Sequence, residues 1–198
     1  MSNQRASKRR GKNAPGRGRR TRWLAGGAAG LLFAAIAGFW AIGLSGGEGG
    51  PTDFAMVAYQ GQDVLGGDEP DFRDVVGQGT PLVLNFWAAS CPPCREEMPG
   101  FQRVHDEMGD DFIMLGVDIG PFVRLGTHEG ARAFLAEYGI DYPAAYAVSA
   151  DVVQDYEVRG MPTTVFFDGD GRMVNKHTGY MPEAQLRREL EGLLASAE

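Results

Sequence analysis

The chain has 198 residues and a formal charge of −7, with 26 acidic side chains against 19 basic ones and only two cysteines. No third cysteine exists to complete a cysteine-built zinc site, and the sequence contains no internal repeat. The charge is split: residues 1–22 hold nine basic side chains and no acidic ones, and the rest holds 10 basic and 26 acidic, net −16. A basic arm on an acidic body argues for two compartments or two partners.

After the arm comes "WLAGGAAGLLFAAIAGFWAIGL", Trp23–Leu44, 22 residues without charge or proline. As a helix it would span roughly 33 Å, about the thickness of a bilayer's hydrocarbon core. Trp23 and Trp40 sit near its ends, where indole rings are favoured. The sequence therefore predicts one N-terminal transmembrane helix over 23–44. The positive-inside rule keeps the arm, 1–22, cytoplasmic and the acidic body outside the cell membrane. A cleaved signal peptide is the competing reading, but its apolar region is usually shorter, and Ala41-Ile42-Gly43 is a weak cleavage site. Basic arms also bind nucleic acid. Beside an apolar span, membrane topology and anionic lipid account for the same charges, so no nucleic-acid partner is expected.

Residues 45–53 read as a flexible linker, from "SGGEGGP". Residues 54–198 are enough for one domain with a real core. Phe54–Tyr59 is an edge-strand candidate, followed by a Gly/Asp-rich loop and a turn at 71–76. "PLVLNFWA" (81–88) begins as a continuous apolar run, which suits a strand buried on both faces. A helix is predicted from Cys94 to about Met108, with Pro92 and Pro93 suited to its first turn. "FIMLGVDI" (112–119) is a second buried strand. A helix over 127–139 has Phe134, Leu135 and Tyr138 on its inner side and Gly139 as its stop. A short helix at 149–158 precedes the strand "TTVFFD" (163–168). Gly169-Asp170-Gly171 turns into another strand, 172–178. A closing helix over 182–196 carries Leu186, Leu190, Leu193 and Leu194 on one face. The alternation predicts an α/β layered sheet with helices on both faces.

Cys91 and Cys94 stand in "NFWAASCPPCREEMP", and three readings are open: a structural bridge, half a metal site, or a redox pair. A disulfide closing two intervening residues removes little chain entropy and is a poor staple. A zinc site lacks further ligands, since His105, His128 and His177 are scattered. At the first turn of a helix, positions three apart share a face with Cα atoms about 5–6 Å apart, within disulfide range. The first cysteine then lies at the helix N-terminus, where free N–H groups favour a thiolate.

"NFWAASCPPCREEMP" followed by "GMPTTVFFDGDGRMV" resembles the thioredoxin superfamily. Within it, the chain is similar to the membrane-anchored TlpA/ResA-type thiol–disulfide oxidoreductases of bacteria. The resemblance spans roughly residues 72–196 and extends to the anchor, linker and domain layout. It implies a thioredoxin-like fold, a central mixed β-sheet with helices on both faces. It implies that Cys91 attacks and Cys94 resolves, that Pro162 follows a cis peptide bond, and that the Met161 backbone pairs with substrate. Trp87 joins Met161 and Pro162 as a substrate-binding residue. Many members have tryptophan where this chain has Ser90. Thioredoxins proper bury an aspartate where this chain has Asn85. The ResA-type members use instead a glutamate three residues after the second cysteine, here Glu97, which could relay the proton of Cys94. Glu96 is read only as a favourable charge near the helix N-terminus.

The expected activity is extracytoplasmic thiol–disulfide exchange on protein substrates, with no bound cofactor. The resemblance favours a reductant in cytochrome c maturation or metal-site assembly, fed by a membrane thiol electron carrier. The rivals are a disulfide-forming oxidase and a Cu(I)-binding chaperone. The histidines are read as surface or packing residues and the methionines as core filler. Asp168-Gly169-Asp170 is read as a turn, because a calcium loop would need glutamate where Gly179 stands.

Overall fold

The computed structural model describes residues 52–195. The predicted arm and span, 1–44, lie outside the described residues, as does most of the linker. Among the described residues no helix is long and apolar enough to cross a membrane.

Strand β1 (Met56–Gln60) leads to a helical turn, α1 (Gln62–Leu65), and to a 3-10 turn at Phe72–Asp74. Strand β2 (Leu82–Trp87) runs into the long helix α2 (Pro92–Met108) and then β3 (Ile113–Asp118). Short α3 (Gly120–Val123) and longer α4 (His128–Tyr138) precede β4 (Ala144–Ala147) and α5 (Asp151–Asp155). The chain closes with β5 (Thr163–Phe167), β6 (Met173–Thr178) and α6 (Glu183–Ala195). One six-stranded sheet has the order β1-β4-β3-β2-β5-β6. β2, β3 and β4 pair in parallel; β1, β5 and β6 are antiparallel to their neighbours.

β2 lies near the middle of the sheet, and all six of its residues are buried. Side-chain alternation sorts them: Leu82, Leu84 and Phe86 enter one core, and Val83 and Trp87 enter the other. The second core is packed by the long helices, through Met98, Phe101 and Val104 of α2, Phe134 and Leu135 of α4, and Leu186, Leu190 and Leu193 of α6. The first core is closed by Phe54, Leu65, Phe72, Val75, Val152 and Tyr156, from the N-terminal segment and short turns. Helical elements thus lie on both faces, with the three long helices on one.

Several boundaries depart from the sequence reading. Thr52 and Asp53 belong to the domain and not to a free linker: the Tyr156 hydroxyl donates to Thr52 O at 2.6 Å, and Asp53 pairs with Arg73. Strand β4 had no prediction. Tyr138 is 40% exposed and packs on Phe134 from outside instead of entering the core. Leu194 is only partly buried. The turn at 168–172 is held by Asp168 Oδ1, which accepts from the N–H groups of Asp170 and Arg172 at 3.0 and 2.8 Å.

Candidate active site

Helix α2 begins at Pro92, one residue after Cys91 and two before the predicted start at Cys94. Pro92 and Pro93 occupy its first turn, and Cys91 is its N-cap in extended conformation. The Cys91 sulfur accepts from the Cys94 backbone N–H at 3.3 Å, so the sulfur does what a capping hydroxyl usually does. A thiolate there is favoured by the same N–H and by the helix dipole. Cys91 and Cys94 form a disulfide with Cα atoms 5.3 Å apart. Cys91 keeps 2% of its surface and Cys94 none. Of the two residues, only the first keeps any exposed surface.

Glu97 lies one turn further along α2 and is 2% exposed. One carboxylate oxygen accepts from Asn85 Nδ2 at 2.9 Å, the other from the Met181 backbone N–H at 2.8 Å. Burial raises its pKa, and the two donors pull it back; the balance leaves it at about 8. A carboxylic acid poised there can take up or give a proton near neutral pH. Glu96, one residue earlier, is exposed. Asn85 presents a donor to Glu97, and its Nδ2 also reaches Thr164 Oγ1 at 3.1 Å.

The Met161–Pro162 peptide is cis. The β2–β5 register pairs Phe86 with Thr163, which puts Pro162 beside the end of β2, the strand that leads to the cysteines. Met161 is partly buried and packs against the core cluster that contains both cysteines. Trp87 is corrected. It is 0% exposed and packs on Phe134, ring centroids 5.4 Å apart, so it has no face for substrate. Alternation along β2 turns position 87 toward the long helices, into the core cluster that holds both cysteines.

The redoxin family model matches residues 67–194. The chain belongs to the redoxin family. Over 130 residues it is 30% identical to the thiol-disulfide oxidoreductase ResA of Halalkalibacterium halodurans, covering 64% of this chain and 69% of the relative. It is 30% identical over 133 residues to ResA of Bacillus cereus, covering 66% and 69%. Among solved structures, it matches the exposed lipoprotein thioredoxin of Streptococcus pneumoniae with a TM-score of 0.57 at 26% identity, covering 72% of this chain and 100% of that one. StoA from Bacillus subtilis matches with a TM-score of 0.56 at 21% identity, covering 70% and 96%, a likeness of fold. This redoxin is a thiol–disulfide oxidoreductase with a thioredoxin-like fold and a dithiol at Cys91 and Cys94.

Two contributors to the site escaped sequence reasoning. The Met181 N–H comes from the connection before α6 and leaves no side-chain signature. His128, read as a surface or packing residue, belongs to a polar cluster with Tyr59 and Asp118. Among the described residues, no three or more His, Cys, Asp or Glu side chains converge as metal ligands would.

Proposed function

We propose that this redoxin reduces disulfides of protein clients outside the cytoplasm, held to the membrane by residues 23–44, with Glu97 as the proton relay of Cys94. The observation that carries the relay is the Glu97 carboxyl, buried one turn beyond Cys94 and poised at about 8. The Cys91 thiolate attacks a client disulfide, forms a mixed disulfide and expels one client thiolate. Glu97 then takes the Cys94 proton, and the Cys94 thiolate attacks the Cys91 sulfur. The second client thiolate leaves with the electrons, and the enzyme is left oxidised, as in this structure. A membrane thiol carrier regenerates the dithiol.

The direction rests on the resemblance of the CPPC and Pro-Thr-Thr motifs to the ResA-type oxidoreductases, and the location on the apolar span, the basic arm and a structural neighbour described as an exposed lipoprotein. The clients that fit are apocytochrome c or a metal-site protein whose cysteines must be reduced before use. The test is the reduction potential of the Cys91/Cys94 pair. A value well below those of disulfide-forming oxidases is expected, and an oxidising value would reverse the direction. Labelling of reduced Cys91 by a membrane-impermeant thiol reagent, in intact cells stripped of any outer barrier, tests the location. Labelling only after lysis would overturn it.

A further inference from the structure

The peptide that leads into Cys91 is not self-supporting. Ser90 N–H donates to Leu125 O at 2.8 Å, and Arg95 Nη1 donates to Ala89 O at 3.1 Å. Leu125 lies in the connection between β3 and α4. That connection is stitched to the end of β2 by Ile119 N–H to Trp87 O at 3.0 Å, and folded on itself by Leu125 N–H to Gly120 O at 2.9 Å. Its Gly126, at φ 138°, lies so close to Ala89 that a Cβ would stand 3.2 Å from the Ala89 Cβ. The position of the connection therefore sets the position of residues 89–91.

The two ends of the connection are tied together by one polar cluster. At the start, Asp118 is 1% exposed, and its Oδ1 accepts from Gly120 N–H at 2.8 Å. Its Oδ2 accepts from the Tyr59 hydroxyl at 2.9 Å and lies 3.3 Å from His128 Nδ1. His128 is the first residue of α4, at the other end, and its Nδ1 lies 2.8 Å from the Tyr59 oxygen. Tyr59 reaches the cluster because β1 shifts register between Ala58 and Gln60, leaving Tyr59 as the extra residue. Tyr146 stacks on His128 at 4.0 Å between centroids, and the Arg132 guanidinium covers the Tyr59 ring at 4.9 Å.

We infer that Tyr59, Asp118 and His128 are positioning residues of the exchange reaction: they close the neck of the Ile119–Thr127 connection, whose Leu125 carbonyl holds the Ser90 peptide and so keeps the Cys91 sulfur on the Cys94 N–H. None of the three needs to touch substrate. Loosening the neck frees the Ser90 peptide and lets the Cys91 sulfur leave its donor, and a thiolate without that donor is less populated.

The test uses reduced, full-length protein and iodoacetamide, with alkylation at Cys91 read by peptide mass spectrometry. Tyr59→Phe removes one hydroxyl and keeps the ring; His128→Gln is the second variant. Alkylation of Cys91 is expected to slow by about three- to tenfold at fixed pH, the size of one lost hydrogen bond. The reduction potential is expected to become more negative, because a thiolate gains more from the Cys94 N–H than a disulfide sulfur does, so the reduced form loses more. A purely structural role would lower the melting temperature and leave the alkylation rate and potential of the folded protein unchanged. That result in both variants overturns the inference.

Discussion

Asn85 Nδ2 donates to Glu97 Oε1 at 2.9 Å, joining the central strand to the dithiol helix where neither side chain meets solvent. The bond stabilises the ionised carboxylate and is one of the two that pull the Glu97 pKa down against burial. Asn85→Ala should therefore raise it. A hydrogen bond to a charged group contributes about 1.5–3 kcal/mol, equivalent to a shift of one unit or more. The pH at which exchange becomes half-maximal should move upward by about that amount. A profile that stays in place would remove Asn85 from the relay.

Glu97→Gln should slow dithiol–disulfide exchange by about 10²-fold, the scale of a lost general base, and flatten its rise with pH. Glu96→Gln, on the exposed side of the same turn, is the control and should change the rate little. Single-turnover kinetics with a disulfide substrate separates them. Equal small effects would reduce Glu97 to a buried structural acid.

The same carboxyl shapes stability. In the unfolded chain it ionises near 4.5, and in the folded chain near 8. Between those values the folded state holds a proton that the unfolded state has lost, so stability falls as pH rises and levels off above about 8. The slope is at most about 1.4 kcal/mol per pH unit. Glu97→Gln should abolish this slope, so its melting temperature should gain on that of the wild type between pH 5 and 8. Parallel curves would contradict the raised pKa.

Cys94→Ser should accumulate mixed disulfides with client proteins through Cys91, since attack proceeds and resolution does not. Cys91→Ser should trap little, because Cys94 has no exposed surface. Non-reducing electrophoresis with mass spectrometry of the adducts reads the result. Trapping through Cys94 instead would reverse the assigned roles.

Gly116 sits on β3 where an added Cβ would lie 3.2 Å from both Trp87 Nε1 and Tyr142 Cε2. Gly116→Ala should cost about 1–3 kcal/mol, as overpacking a filled core does. Urea denaturation should show a lower midpoint at unchanged slope. An unchanged midpoint would mean that Trp87 and Tyr142 have room to move.

The parts of the molecule legible in the sequence are those written by local rules. The run through β2 is apolar at both parities but for Asn85, Pro92 and Pro93 announce the first turn of α2, and Gly139 stops α4. Strand β4 was missed because Ala144-Ala145-Tyr146-Ala147 is four residues long and has no β-branched side chain. The cysteine pair could be named from its spacing and Glu97 from the family resemblance, but the surroundings of Glu97 could not. Asn85 is 12 residues away and Met181 is 84, and one of the two contributes only a backbone N–H. Trp87 was misjudged for the same reason. Composition marks it as aromatic and near the cysteines, and only the strand register decides which way it points.

The connection that follows β6 makes two bonds within three residues. Gly179 N–H donates to Pro162 O, and Met181 N–H donates to Glu97 Oε2, both at 2.8 Å. One short length of backbone thus joins the segment that the family resemblance assigns to the client with the group proposed to handle the proton. Thermodynamic linkage then runs both ways. A client that draws this backbone toward itself alters the proton affinity of Glu97, and ionising Glu97 alters the affinity for the client by the same factor. A redoxin built in this way can tell an occupied site from an empty one through proton uptake alone, and calorimetry in buffers of different ionisation enthalpy would read it as protons taken up or released on client binding.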